Sequence, residues 1–184
     1  MTDAGWAETV ARNLLEQALP RRWAHTRGVA ATARTLSGIF DDHADLLVSA
    51  AWLHDVGYSP AIAISGFHPL DGARHLRDAE KADGLLCRLV AHHGCALTEA
   101  AERGLGAELA REFPMPPEDL VDALIYSDMT TGPDGQTMAV ADRLAEILAR
   151  YGPDHPVSRA RSKSAPQIAA AVARITNMLS RGHN

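Results

Sequence analysis

Apolar residues along this chain recur at helical rather than strand spacing, and the chain can be divided on that pattern. Residues 3–19 carry Trp6, Val10, Leu14 (or Asn13) and Gln17 or Ala18 on one face before Pro20 ends the run. An Ala-rich helix over 21–37 places His25, Val29, Thr32 and Leu36 at i, i+4, i+7 and i+11, in line with its apolar stripe, and Gly38 closes it. Asp41 or Asp42 caps a third helix in which Leu47, Ala50 and His54 share one side while Val48, Ala51 and Asp55 align beside them. Residues 58–60 break the pattern, and 61–66 reads as a turn. His68 stands at the entrance of the next helix, before Pro69 and with Asp71 in the first turn. Leu85, Leu89 and His92 fit a stripe nearly as well as Leu86, Leu89 and His93, so periodicity does not choose between the two histidines.

Farther along, residues 100–113 read as a helix interrupted by Gly104 and Gly106, and the proline-rich 113–117 as a rigid connection. Glu118 and Asp119 open a helix with Val121, Leu124, Ile125 and Asp128 on one face. Two more amphipathic helices are predicted over 139–151 and 166–179, the latter on Ile168, Val172, Ile175 and Leu179. Between them, Arg159, Arg161 and Lys163 read as a solvated loop or helix face. No segment shows sustained period-two alternation, so the predicted fold is an all-α helical bundle forming a single domain over 1–184.

Composition narrows the function classes. A net charge of -5 and a pI near 6.0 argue against nucleic acid or an anionic membrane as partner and favour a small substrate. Only Cys87 and Cys95 are present, read as small packing residues, and no charged leader runs into an apolar stretch; a cytoplasmic protein, monomer or homodimer, is expected. Gly104-Leu105-Gly106 lacks a third glycine and a preceding strand, and there is neither a Walker A pattern nor an HExxH.

The candidate chemistry lies in the polar residues on apolar stripes. An isolated His54-Asp55 pair is adequately explained as a helix end, with His54 favouring the dipole and Gly57 as the stop. A lone inward histidine is more often a hydrogen-bonded core residue than a ligand. Yet His25, His54, Asp55, one of His92 and His93, and Asp128 all face inward near helix ends, with His68 at a helix entrance. Imidazole and carboxylate on facing helices are ligands for divalent transition metals. A His-His-Asp-Asp set holds one ion, and six ligands would hold two. Two such ions bring about +4 against -2 from Asp55 and Asp128, an excess that attracts an anion such as phosphate.

The order His25, His54-Asp55, Asp128 resembles the H...HD...D pattern of the HD-domain superfamily of metal-dependent phosphohydrolases. The phrases RWAHTRGVAATA, AAWLHDVGY, GFHPLDGARHL, LVAHHG and IYSDMTTG follow that family's order over about residues 21–132. Similarity to the H...HD...H...H...D subset, which includes symmetrical diadenosine tetraphosphatases and HD-GYP phosphodiesterases, implies a metal set of His25, His54, Asp55, His68, His92 and Asp128. It also implies Asp55 as the bridge between two ions. The chain departs from those relatives in carrying Tyr58 where many have lysine and in lacking the GYP motif.

The resemblance thus implies a phosphomonoesterase or phosphodiesterase acting on a nucleotide or other small phosphorylated metabolite through metal-activated water. The cofactor expected is one or two divalent ions, iron or manganese ahead of zinc, nickel, cobalt or magnesium. His54, Asp55 and His93 are the expected catalytic residues, His93 standing behind the ligands or acting as a general acid. Arg22, Tyr58, Arg74, Thr130 and Thr131 are the expected substrate contacts. The alternatives are a di-iron oxygenase built on the same six ligands and, as a third class, a non-catalytic nucleotide-sensing domain.

Overall fold

The computed structural model describes residues 3–182. Its elements are α1 (Ala4–Leu15), α2 (Pro20–Arg34), α3 (Ala44–Leu53), α4 (His68–Asp78), α5 (Gly84–His92), α6 (Ala96–Glu102), α7 (Gly106–Glu112), α8 (Glu118–Met129), α9 (Val140–Tyr151) and α10 (Pro156–Gly182). Short 3-10 turns at Asp41–His43, Val56–Tyr58 and His93–Cys95 connect them. The fold is all-α, and among the described residues the only strand-like feature is an isolated antiparallel bridge between Thr131 and Thr137.

Local chemistry accounts for the helix boundaries. The Asp3 carboxylate accepts the Trp6 N–H at 2.7 Å to start α1, and Asp83 does the same for Leu85 at 2.8 Å to start α5. Pro20 opens α2, where its missing N–H leaves no bond unmade. Gly104, at a φ of +74°, separates α6 from α7 at the place the sequence pattern breaks.

Helix α3 is the centre of the bundle. All residues from Leu46 to Leu53 are buried and all but Ser49 are apolar, as suits a helix surrounded by others. It packs against α1, α2, α5 and α8. His54 and Asp55 follow directly from this helix and are therefore delivered into the interior. The next turn is held tight by Gly57, whose hydrogen occupies the only space left beside the His68 carbonyl; a Cβ there would overlap that oxygen and press on the Gly72 nitrogen. Gly57 does more than end a helix. It brings the first turn of α4, and so His68, against the end of α3. Gly28 works similarly on α2, admitting the backbone of Gly135 so that the loop after α8 lies on the helix bearing His25.

A second apolar cluster of Ile125, Met129, Ile147, Val157, Ile168 and Ala171 seats α9 and α10 against α8. Helix α10 begins ten residues before the predicted start at 166 and runs on through Pro166. Its buried stripe is Val157, Ala160, Arg161, Ser164, Ile168, Ala171 and Ile175. After Val157 the first half of that stripe is written in alanine, arginine and serine, so a hydrophobic pattern registers only the second half. Arg161 thus lies inside, contrary to its reading as part of a solvated segment.

Candidate metal centre

Five helices bring six ligand-type side chains together. α2 contributes His25, the end of α3 contributes His54 and Asp55, α4 contributes His68, the turn after α5 contributes His93, and α8 contributes Asp128. They form two triads, His25–His54–Asp128 and Asp55–His68–His93, in each of which the ligand atoms lie within 4.8 Å of one another. All six residues are at most 7% exposed.

Asp55 joins the triads. Its Oδ2 lies 3.4 Å from His54 Nε2, while its Oδ1 lies 3.5 Å from His68 Nε2 and 3.8 Å from His93 Nε2. In the first triad His25 Nε2 is 3.1 Å from Asp128 Oδ1, and in the second the two Nε2 atoms of His68 and His93 are 3.1 Å apart. Burial opposes the charge on Asp55, but Arg22, His54 and His68 outweigh it and hold the carboxyl well below the usual range. Burial likewise opposes Asp128, and the hydrogen bond from and charge of His25 reverse it, again lowering the pKa. Both carboxylates are ionised at neutral pH.

The imidazoles are oriented as ligands. His25, His54 and His93 each donate Nδ1–H to a backbone carbonyl, of Gly132 (3.0 Å), Ala51 (2.7 Å) and Val90 (2.7 Å) respectively, which turns each Nε2 toward the cluster. His54 Nε2 is buried with no hydrogen-bond partner. A buried ring nitrogen without a hydrogen-bond partner is costly unless another group meets it. Burial, with the charge of His54 next, pushes His93 down to about 4, and burial and His93 together hold His68 well below its ordinary value. Both rings are therefore neutral at pH 7, as metal ligation requires. The donor set and its orientation fit a divalent transition metal in each triad.

One expected ligand is misplaced by sequence reasoning. His92 ends α5, donates its Nε2–H to the Phe113 carbonyl at 2.6 Å, and belongs to neither triad. The backbone turns at the next residue: His93 has ψ of 155°, and Gly94 and Cys95 both take left-handed φ of 56° and 58°. That break swings His93 into the place assigned to His92, so His93 is a ligand-type side chain rather than a residue behind the ligands or a general acid. Replacing His93 with alanine is expected to remove one bound metal equivalent, whereas His92→Ala retains both; metal content after dialysis against Mn²⁺ distinguishes them.

Of the expected substrate contacts, Arg22 and Tyr58 are at the site. The Arg22 guanidinium pairs with Asp55 and lies 3.5 Å over the Tyr58 ring, which itself stacks on His68 at 3.8 Å. Burial raises the Tyr58 pKa well above its usual value, keeping the phenol protonated. Arg74 is elsewhere, clamped by Glu108 and Glu112 of α7. Thr130 and Thr131 spend their hydroxyls on the Tyr126 and Ser127 carbonyls at 2.7 and 2.8 Å, finishing α8 rather than facing the centre.

Sequence reading missed the opposite wall. Arg143, Arg150 and Tyr151 of α9 and Arg161 of α10 close the chamber over the two triads. The chamber's space is about 40 Å³, and it shares Arg22, His25, Arg143 and Arg150 with an adjoining groove of about 300 Å³ that is lined also by Ala18, Leu19, Pro20 and Pro133. Four guanidiniums thus stand around the cluster, Arg22 paired with Asp55 and Arg143 and Arg150 with Glu146.

The profile of the HD domain family matches residues 22–147, a span that contains all six clustered side chains. Searches of curated proteins and of solved structures return no match. With more than half of its length matched and the ligand-type side chains assembled in the order H...HD...H...H...D, the chain belongs to the HD domain family, a superfamily of metal-dependent hydrolases.

Proposed function

We propose that this chain is a phosphohydrolase acting on a nucleotide or another small phosphorylated metabolite. The observation that carries the reading is the pairing of two abutting His/Asp triads, linked through the two oxygens of Asp55, with an arginine-lined wall above them. His25, His54 and Asp128 would hold one ion and His68, His93 and Asp55 the other, iron or manganese ahead of zinc, nickel, cobalt or magnesium on donor type. Such ions supply Lewis acidity for a phosphoryl oxygen and lower the pKa of water toward ~7.

The protein's own groups do the rest. Backbone carbonyls fix the ring orientation of His25, His54 and His93, so the site is organised before substrate enters. Arg143, 4.0 Å from Asp128 and paired with Glu146 at 2.5 Å, and Arg150 stand where charge gathers on a phosphoryl group. Arg22 and Tyr58 form a stacked edge beside His68 that can orient the substrate. Val157 and Ile147 add an apolar edge to the otherwise polar chamber. The partner is a small molecule. Among the described residues no helix is long and apolar enough to cross a membrane.

The di-iron oxygenase reading uses the same ligands, and a wall of arginines would hold an anionic substrate for either chemistry, so dependence on oxygen separates the two. Protein purified anaerobically and supplied with Mn²⁺ is expected to release phosphate from members of a phosphatase and phosphodiesterase panel without oxygen, and His54→Ala to abolish the release. Turnover only with iron and oxygen would favour the oxygenase. A protein that keeps its metal yet turns over nothing would fit the sensing domain.

A further inference from the structure

One cation in the chamber has no counter-charge among the described residues. Arg22 pairs with Asp55, and Arg143 and Arg150 both pair with Glu146. Arg161 is only 9% exposed and lines the same chamber, yet its one hydrogen bond goes from Nη1 to the Gly94 carbonyl, its Nε has no partner, and no carboxylate among the described residues pairs with it. The fold makes particular room for it: a Cβ on Gly94 would stand 3.0–3.5 Å from the guanidinium. A buried guanidinium without an anion is unfavourable, and a backbone carbonyl does not neutralise it. Four guanidiniums face three carboxylates (Asp55, Asp128 and Glu146), an excess of positive charge that divalent ions at the triads would increase.

The shape of the site limits the anion. At about 40 Å³ the chamber has room on the order of a few waters, a space suited to one phosphoryl group and too small for a nucleoside. The groove beside it, at about 300 Å³, has the size and mixed apolar and cationic walls for an organic leaving group. Arg161 is not among the residues that line the groove, whereas Arg22, His25, Arg143 and Arg150 line both spaces.

We infer that Arg161, outside the segment matched by the family profile, is a substrate-binding residue that receives the terminal phosphoryl group of a phosphomonoester whose leaving group lies in the adjoining groove. The monoester assignment rests on the hydrolase reading above; the anion site does not. The planar fork of arginine suits two phosphoryl oxygens, a geometry that lysine cannot reproduce.

The test uses the full chain loaded with Mn²⁺ and inorganic phosphate as probe, by titration calorimetry. Arg161→Gln is expected to weaken phosphate binding by about 10- to 100-fold, the value of a charge-assisted hydrogen bond, while Mn²⁺ stoichiometry stays the same and thermal stability holds or rises. Arg161→Lys is expected to fall between the two. Unchanged phosphate affinity in Arg161→Gln overturns the inference. So does parallel loss of phosphate, metal and stability in both variants, which would make Arg161 a strut for the Gly94 turn. If only Arg161→Gln fails to fold, Arg161→Lys decides by whether phosphate binding weakens with metal retained. Comparable turnover of p-nitrophenyl phosphate and bis(p-nitrophenyl) phosphate would overturn the monoester assignment. Arg161-dependent phosphate binding with no ester hydrolysed would sink the hydrolase reading and leave the anion site standing.

Discussion

Replacing Asp55 with asparagine is expected to abolish binding of both metal ions together and to lower phosphate release by about 1,000-fold or more, the scale of losing a group on which a whole catalytic unit depends. The reason is geometric. Oδ2 serves the triad of His25, His54 and Asp128, while Oδ1 serves that of His68 and His93. An amide offers a neutral oxygen to one side and an N–H₂ to the other, so one triad faces a donor where it needs an acceptor and the other loses the charge of the carboxylate. His68→Ala touches only the second triad and is expected to release one ion. Asp55→Asn also leaves Arg22 without its carboxylate; because the Arg22 side chain remains about 20% exposed, solvent relieves part of that cost and the variant is expected to fold. Metal content after equilibrium dialysis, measured beside activity, separates the two variants. Retention of both ions in Asp55→Asn would contradict the bridge.

Acid is expected to unfold the metal-stripped protein between pH 6.5 and about 4. Burial holds His93 near 4 and lowers His68 and His92 as well. In that window the unfolded chain binds protons that the folded chain refuses, so stability falls as pH falls. His93 alone, shifted from 6.5 to about 4, corresponds to a loss of about 3 kcal/mol at the acid end. His54 shifts the other way: burial opposes its charge, but Asp55 outweighs burial and raises its pKa, so its contribution is fully present below 6.5 and is lost only as pH rises through the folded value. The depressed Asp55 and Asp128 contribute above the unfolded pKa of ~3.8 and are lost at still lower pH. The window therefore belongs to the histidines. Urea unfolding of chelator-treated protein at pH 7 and 4.5 measures it, and a flat profile would contradict neutral burial of these rings. Bound metal, which needs the same neutral rings, is expected to protect against the loss.

How far the sequence reveals this site follows from what kind of interaction places each residue. The helix ends that carry His25, His54-Asp55 and Asp128 announce themselves because a polar group at the end of an apolar stripe is visible in one dimension. The choice of His93 over His92 is made by a backbone break with a left-handed, non-glycine Cys95, and no periodicity encodes that. Arg74 looked available because its partners, Glu108 and Glu112, lie on a helix more than thirty residues away and meet it only in the fold. Thr130 and Thr131 end a helix, where local carbonyls claim hydroxyls first. Arg161 was hidden because small residues surround it on α10; the interior stripe there is defined by Ala160 and Ser164, which a hydrophobic pattern passes over. One signal in the sequence does mark it: Val157, Arg161, Ser164, Ile168 and Ala171 keep helical spacing through Pro166.

The most direct test of a two-ion phosphohydrolase is to titrate anaerobically prepared, metal-free protein with Mn²⁺ while recording phosphate release from the best substrate of the panel. The expected result is activity that rises until two equivalents per chain are bound and that is absent in His54→Ala at every metal concentration. Failure to bind any transition metal, or two bound equivalents with no phosphate released from any substrate, would contradict it.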